Sequence, residues 1–287
     1  MFVIIGSVIV MGAILLGFVL SGGKIPVLIQ INEFIVIGGA ALGSVLIANP
    51  LPTVMATVKA VFGLLKGNPY TKDKYMELMK MLYAMFLMAR REGLVSLDQH
   101  VENPHESTFF KEYAFFHANH HAVAFLADTM KVVITGSVAI HDLSEMMDID
   151  LETAHEEMMK PAGVVTTVSD AMPGFGIVAA VLGVVITMGA IGGPPEQVGH
   201  HVAAALVGTF IGILLSYGFL GPMAKSMEGA VKAEAQYMGC IKNAVLSFAR
   251  GDAPATCVEF ARRNIEPSVR PSFMETEEAC KAQGKAA

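Results

Sequence analysis

The chain alternates between stretches that exclude charge and stretches that carry it. Four long runs hold no Asp, Glu, Lys or Arg: Met1 to Gly23, Phe34 to Val58, Ala171 to Pro195 and Gln197 to Ala224. Each is long enough to supply the roughly 20 residues with which an α-helix crosses a hydrocarbon core of about 30 Å, so each predicts a membrane-spanning helix. The second run is broken by Asn49, Pro50 and Pro52, and the last two are separated only by a turn at Pro194, Pro195 and Glu196, which makes them a helical hairpin. Small residues recur within that hairpin at four-residue spacing: Gly176 and Ala180, the shifted row Ala179, Gly183 and Thr187, and in the second half Ala204, Gly208, Gly212 and Ser216. Helices in lipid associate where small side chains let backbones approach, so these rows are packing faces, either for the hairpin on itself and its neighbouring spans or for a partner helix.

Between the second and third runs the pattern changes to amphipathic helix. Thr71 caps a helix whose apolar positions Met76, Met79, Leu82, Tyr83, Phe86 and Leu87 follow i, i+3, i+4 spacing, and Gly93 ends it. Ser96 with Gln99 reads as a capping box for a short helix before Pro104, and further helices are expected over 106–119, 122–135 and 144–159. After the fourth run, Met227, Val231, Ile241, Val245 and Phe248 continue an amphipathic helix to Gly251, Asp252 and Pro254 start another short one, and the polar tail beyond Pro267 reads as frayed.

The expected fold class is an all-α membrane protein of four transmembrane helices, with a large helical cytoplasmic insert between spans 2 and 3 and a helical cytoplasmic tail. Its parts are residues 1–58 (spans 1 and 2), 59–163 (insert), 164–224 (spans 3 and 4) and 225–287 (amphipathic helix and tail). Composition agrees: 53% of residues are hydrophobic and 16% charged, with a mean hydropathy of +0.54, against about 25% charged in soluble domains. The first run has no basic head and is longer than the apolar part of a signal peptide, so it reads as a retained helix. With both termini cytoplasmic, the outer loops are roughly Ser21 to Glu33 and Ala190 to Gly199, and of 20 basic residues only Lys24 lies outside. The positive-inside rule therefore favours that orientation. Cys240, Cys257 and Cys280 show no disulfide or metal spacing, which suits a reducing compartment. A net charge of −6 argues against nucleic acid.

Candidate chemistry is sparse. No span carries an ionisable group at depth, whereas a protein that moves ions by itself keeps an Asp, Glu, His or Lys there. The polar groups at depth are the hydroxyls of Ser44, Thr187, Thr209, Ser216 and Tyr217, and Glu33 reads as a solvated carboxylate at the outer end of span 2. Pro173 and Pro222 sit near the inner ends of spans 3 and 4, each either a helix boundary or a hinge. His117, His120 and His121 share i, i+3, i+4 spacing on one expected helix, and His200 adjoins His201, but nothing completes a metal site. Arg90, Arg91 and Glu92 close one helix and Asp98 opens the next, as macrodipole compensation favours and as a charged partner could use. Nucleophile elbow, phosphate loop and triad patterns are absent, so an enzyme is not expected and no cofactor is implied.

Several segments together resemble one family. DAMPGFGIVAAVLGVV from Asp170, ALVGTFIGILLSYGFLGP from Ala205, ARREGLVSLD from Ala89, VENP from Val101, VEFAR from Val258 and RPSF from Arg270 are similar to the MotA family of flagellar motor stator proteins, and the likeness covers nearly the whole chain. The resemblance implies a multi-pass protein of the bacterial inner membrane, forming a pentameric ring around two single-span helices of MotB, which supply the ion-binding aspartate. It places Thr209 and Ala180 near the ion path, with Gly176, Thr187 and Tyr217 on the wall facing the partner helix, and gives Pro173 and Pro222 the coupling of ion passage to movement. Arg90 and Asp98 match the charged positions that engage the rotor protein FliG; the second is often Glu, so Asp keeps the sign with a shorter reach. Ala180 stands where sodium-driven relatives carry a hydroxyl, which favours protons. Two alternatives remain: an energiser of the ExbB or TolQ type, which has three spans and lacks the Arg90 to Asp98 segment, and a membrane scaffold that moves no ion.

Overall fold

A computed structural model describes residues 2–189 and 191–286. Met1, Ala190 at the start of the expected outer turn, and Ala287 lie outside the described residues. The helices are α1 (Phe2–Leu20), α2 (Ile31–Ala48), α3 (Leu51–Gly63), α4 (Lys72–Glu92), α5 (Asp98–Glu102), α6 (Thr108–Lys111), α7 (Ala114–Ala118), α8 (His120–Thr135), α9 (Ile140–Gly189), α10 (Pro195–Ile213), α11 (Gly221–Ala249), α12 (Pro254–Arg263) and α13 (Phe273–Ala286). The chain is all-α, with no strand among the described residues. It divides into two compact units, Met1–Gly67 with Met158–Ala230, and Asn68–Glu157 with Val231–Ala287.

The first unit holds the apolar helices. Val3–Leu20, Ile25–Ala48, Ile140–Gly189 and Pro195–Ala249 each contain a stretch long and apolar enough to cross a membrane. Its buried contacts are few and small: Ile37 and Ala41 of α2 pack with Met172 and Ala179 of α9 and with Val207 and Ile211 of α10. Leu64, Ala162, Val165, Ala224 and Met227 form a second cluster. Most large apolar side chains instead face outward, Val8, Ile9 and Leu16 of α1 among them, which suits a hydrocarbon surround.

Proline ends α2, whose last residue Ala48 precedes Asn49 and Pro50, but it does not end α9. Pro161 and Pro173 both lie inside the unbroken α9, so the expected helix over 144–159 and the start of the third apolar run are one element. At Pro173 this removes the boundary reading, because the missing N–H costs one bond, to the Ser169 carbonyl, and the flanking turns hold the backbone. Pro222 is treated differently. It has no N–H to give to Gly218, and its ring would strike that carbonyl. Residues Leu214–Leu220 widen into π-helix just before it, and the Gly221 N–H donates to the Ser216 carbonyl five residues back.

The second unit has a conventional core. Along α4, Tyr75, Leu78, Met79, Leu82, Met85, Phe86 and Ala89 are buried at helical spacing and pack with Tyr237, Ile241, Ala244 and Val245 of α11 and with Val258 and Ala261 of α12. Phe86 stacks on Phe248 with ring centroids 4.5 Å apart. Local chemistry sets the ends. Gly93 stops α4 at a φ of 90°, Gly136 stops α8 at a φ of 63°, and the Asn119 side chain caps α8 by accepting from the Ala122 N–H at 3.1 Å.

Four expectations need correcting. The Ser96 hydroxyl turns back to the Gly93 carbonyl at 2.7 Å, so no capping box with Gln99 forms. Thr71 precedes α4 without a side-chain cap. The helix expected over 106–119 is two short helices, α6 and α7. Beyond Pro267 the tail is not frayed: Ser272 and Glu275 form a reciprocal capping box, Ser272 N–H to Oε2 at 2.7 Å and Glu275 N–H to Oγ at 3.2 Å. It starts α13, whose Cys280 is buried in the core around α4 and whose Gln283 donates to the Tyr113 hydroxyl at 3.0 Å. The VEFAR and RPSF segments hold this turn, since Arg262 donates to both Glu259 oxygens at 2.6 and 2.8 Å and to the Pro271 carbonyl at 3.1 Å.

Truncating Phe86 removes a fully buried ring and its stacking partner's contact. Phe86→Ala should lower the stability of the second unit by about 3–5 kcal/mol, read by denaturant unfolding of the purified chain in detergent. Glu275 is held by Lys72 at 2.7 Å and by the Ser272 N–H, which draw its carboxyl down to about 2. Its contribution to docking α13 is complete above its ordinary value of about 4.5 and is lost as pH falls from there towards about 2. Protease cleavage before α13 should therefore accelerate over that acid range in the wild type and be fast at neutral pH in Glu275→Gln.

Candidate functional site

The hairpin of α9 and α10 is built on backbone approach. A methyl group placed on Gly176 would lie 2.9 Å from the Gly208 carbonyl oxygen and 3.3 Å from the Thr209 Cα, and one on Gly212 would lie 2.6 Å from the Met172 carbonyl oxygen. Two turns further along, a methyl on Gly183 would meet the Ala205 Cβ at 2.8 Å. The small rows read from the sequence are thus used by the hairpin itself. At the loosened turns a hydroxyl joins the two helices: Ser169, four residues before Pro173, donates to the Ser216 carbonyl at 3.1 Å, and both residues are buried. Sequence reading missed Ser169, whose signal was its position one turn before Pro173.

The buried stripe on α9 comprises Met172, Gly176, Ala179, Gly183 and Thr187, and that on α10 comprises Ala205, Val207, Gly208, Ile211 and Gly212. At about 100° per residue, Ala180 and Pro173 fall at one edge of the first stripe and Thr209 at one edge of the second. Because the helices run antiparallel, these edges lie on the same side of the hairpin. There Ala180, Pro173 and Thr209 are half-buried, and Ile177, Val184, Leu206 and Ile213 are exposed. The opposite side is covered by α2 through Ile37 and Ala41. Tyr217 is 73% exposed on the π segment and Pro222 is exposed beyond it. Gly176 and Thr187, expected to face a partner helix, are enclosed within the chain: Gly176 lies against α10, and the Thr187 hydroxyl donates to its own Gly183 carbonyl at 2.7 Å.

Glu33 is not a solvated interfacial carboxylate. It is 8% exposed, Oε2 has no hydrogen-bond partner among the described residues, and a methyl on Gly208 would lie 2.6 Å from that oxygen. Its chain enters a notch that Gly208 leaves beside Ala179, whose Cβ would be 3.2 Å from the same methyl. The sequence showed the acid but could not show the notch, because the two are 175 residues apart in the chain.

The charged positions belong to the other unit. Arg90 closes α4 and Asp98 opens α5, both exposed, with the 3₁₀ turn Leu94–Leu97 between them. Arg90 donates to the Gly251 carbonyl at 2.6 Å, at a residue whose φ is 90°. It also borders a groove of about 400 Å³ walled by Leu94, Val132, Val133, Leu143 and Phe248. The histidines do not share a helix. Asn119 ends one short helix and caps the next, dividing His117 from His120 and His121. No group of three or more His, Cys, Asp or Glu side chains is placed to hold a metal among the described residues. Burial pushes the Cys280 thiol up to about 12, which removes it as a nucleophile near neutral pH.

Gly212→Ala sets a methyl against backbone oxygen, which cannot turn aside as a side chain can. It should destabilise the hairpin by about 1–3 kcal/mol, seen as a lower midpoint of thermal unfolding in detergent, whereas Gly163→Ala, inside α9 with open space around it, should not lower the midpoint and should raise it slightly.

Comparison with known proteins agrees with this geometry. Residues 4–93 match the family described as Motility protein A N-terminal, and residues 117–239 match the MotA/TolQ/ExbB proton channel family. The chain is 36% identical over 282 residues to Motility protein A of Salmonella typhimurium, covering 98% of this chain and 96% of the relative. Two solved structures share the fold. The Campylobacter (C. jejuni) MotAB structure has a TM-score of 0.77 at 20% identity, covering 94% of this chain and 98% of that one. The flagellar MotAB stator complex of Bacillus subtilis has a TM-score of 0.73 at 22% identity, covering 99% and 98%. These relatives are stator and channel proteins, not enzymes. The chain belongs to the motility protein A family.

Proposed function

We propose that this chain is the stator subunit of a bacterial flagellar motor, spanning the inner membrane four times with both termini cytoplasmic. It surrounds the membrane helices of a MotB-type partner as a ring of like subunits, a pentamer. The observation that carries the reading is the two-sided hairpin: α2 covers one side, while the side bearing Ala180 and Thr209 is apolar and exposed and, over 171–189 and 197–222, holds no Asp, Glu, Lys or Arg. A surface of that kind inside a bilayer suits a guest helix that brings its own acid. The ion path follows Thr209, Ala180 and Tyr217. Residues 68–157 and 231–287 meet the rotor protein FliG through Arg90 and Asp98.

The mechanism follows from charge and dielectric. A partner aspartate next to the apolar side costs much free energy when ionised and far less when a proton neutralises it, so each proton changes which ring contact it prefers. Movement passes to the hairpin where Pro173 and Pro222 loosen it. The exposed charges at Arg90 and Asp98 then push the rotor, an interaction that salt screens beyond roughly 10 Å at 0.1 M. Ala180 offers no oxygen to a dehydrated Na⁺, which supports protons as the driving ion. The identity to Motility protein A across 98% of the chain favours motility over an ExbB or TolQ energiser.

Deleting the gene should abolish swimming, and the intact gene should restore it. In the restored strain, replacing external Na⁺ by K⁺ at constant pH should leave swimming speed unchanged; loss of rotation would assign sodium instead. Arg90→Glu should reduce torque while the purified ring keeps its size and partner. Loss of assembly would mean that the bond to the Gly251 carbonyl is the residue's main work.

A further inference from the structure

Three buried side-chain polar atoms find no hydrogen-bond partner among the described residues: Glu33 Oε2, His155 Nδ1 and Tyr237 Oη. Of these only Glu33 is an acid, and only Glu33 lies against the hairpin. Among the described residues no side-chain donor or countercharge reaches it, and the first-turn N–H groups of α2, which favour a carboxylate there, make no hydrogen bond to Oε2. On α2 it is the sole titratable residue. The α9 stretch from Ala171 to Gly189 carries none. On α10 the titratable residues are Glu196, His200 and His201, of which His201 shares the Gly208 face but lies seven residues nearer the amino end of α10. The short 3₁₀ turn Ile25–Leu28 beside α10 has none, and Lys24 before it is exposed. An ionised carboxylate in such a place is poorly stabilised, and a bound proton removes that cost.

At the notch the hairpin carries little side-chain bulk. Gly208 and Gly176, which meet there, add no side chain, and Thr209 and Ala180, each next in sequence to a residue of the notch, stand at the edges of the other side. We infer that Glu33 is a proton-binding site carried by this chain itself, lodged between Gly208 and Ala179, and that it exchanges its proton with the Ala180 and Thr209 side of the hairpin. The O–H bond formed at Oε2 replaces one broken on a hydronium ion, and return of the proton to water on the other side reverses the step without electron transfer. The exchange with the ion path rests on the stator reading; the protonation of Glu33 does not.

Infrared difference spectra of the full chain with its membrane partner, in phosphatidylcholine vesicles stepped from acid to alkaline buffer, test the site directly. The wild type should show a carboxylic acid C=O band that is lost in Glu33→Gln, which fills the notch with a neutral group of the same shape, and is retained in Glu196→Gln. Gly208→Ala should shift or remove that band, and Glu33→Ala should restore the assembly that Gly208→Ala weakens. A band set unaltered by Glu33→Gln overturns the site. Proton flux through the same vesicles tests the exchange: Glu33→Gln should lower it at equal complex yield, and unchanged flux overturns the exchange. Absence of flux in the wild-type complex would instead fail the stator reading, leaving the infrared result to stand alone.

Discussion

The approach of two backbones at Gly176, Gly208 and Gly212 is the contact on which the apolar unit depends. In a hydrocarbon solvent the burial of Ile37 or Ile211 gains little over exposure to lipid, so the unit is held by what lipid cannot supply: close van der Waals fit, and a hydroxyl donated from Ser169 to Ser216. Removing side chains at the crossing has two effects at once. It allows the fit, and it leaves a hollow that Glu33 enters from the α2 side. One glycine thereby serves packing and places an acid.

The two units follow different solvent rules. In the first, many large side chains point outward, and the closest helix crossing is lined by glycine and alanine. In the second, Phe86, Phe110, Phe116 and Tyr237 are fully buried and charged residues occupy the surface. A scale that counts hydrophobic residues alone cannot tell these arrangements apart. The spacing of small residues and of charges does, because each reports on the medium that the outer face must meet.

How much of this was legible follows the same division. The apolar helices were plain, since excluding charge over some 20 residues leaves a bilayer as the stable surround. The inward face of α4 was read in part from its helical period: Met79, Leu82 and Phe86 are buried, whereas Met76, Tyr83 and Leu87 are half-buried and Tyr75, Leu78 and Met85 complete the buried face. What could not be read depended on partners remote in sequence or on competition between local signals. The continuity of α9 through Pro161 and Pro173 was hidden because a proline penalty is local, while the bonds that outweigh it belong to the flanking turns. The order of α13 was hidden because Ser272 and Glu275 were counted as polar tail rather than as a reciprocal cap. The side of the hairpin on which Thr209 and Ala180 stand became visible only once the buried stripes were known.

The core of the second unit is unusually rich in sulfur, with Met79, Met81, Met85, Met130, Met147 and Met238 enclosed beside Cys240, Cys257 and Cys280. Thioethers fill irregular gaps well, but each is also open to conversion into a polar sulfoxide that no longer fits an apolar interior. Peroxide therefore reaches these atoms chiefly while the chain is newly made or transiently open, and folding itself acts as their antioxidant.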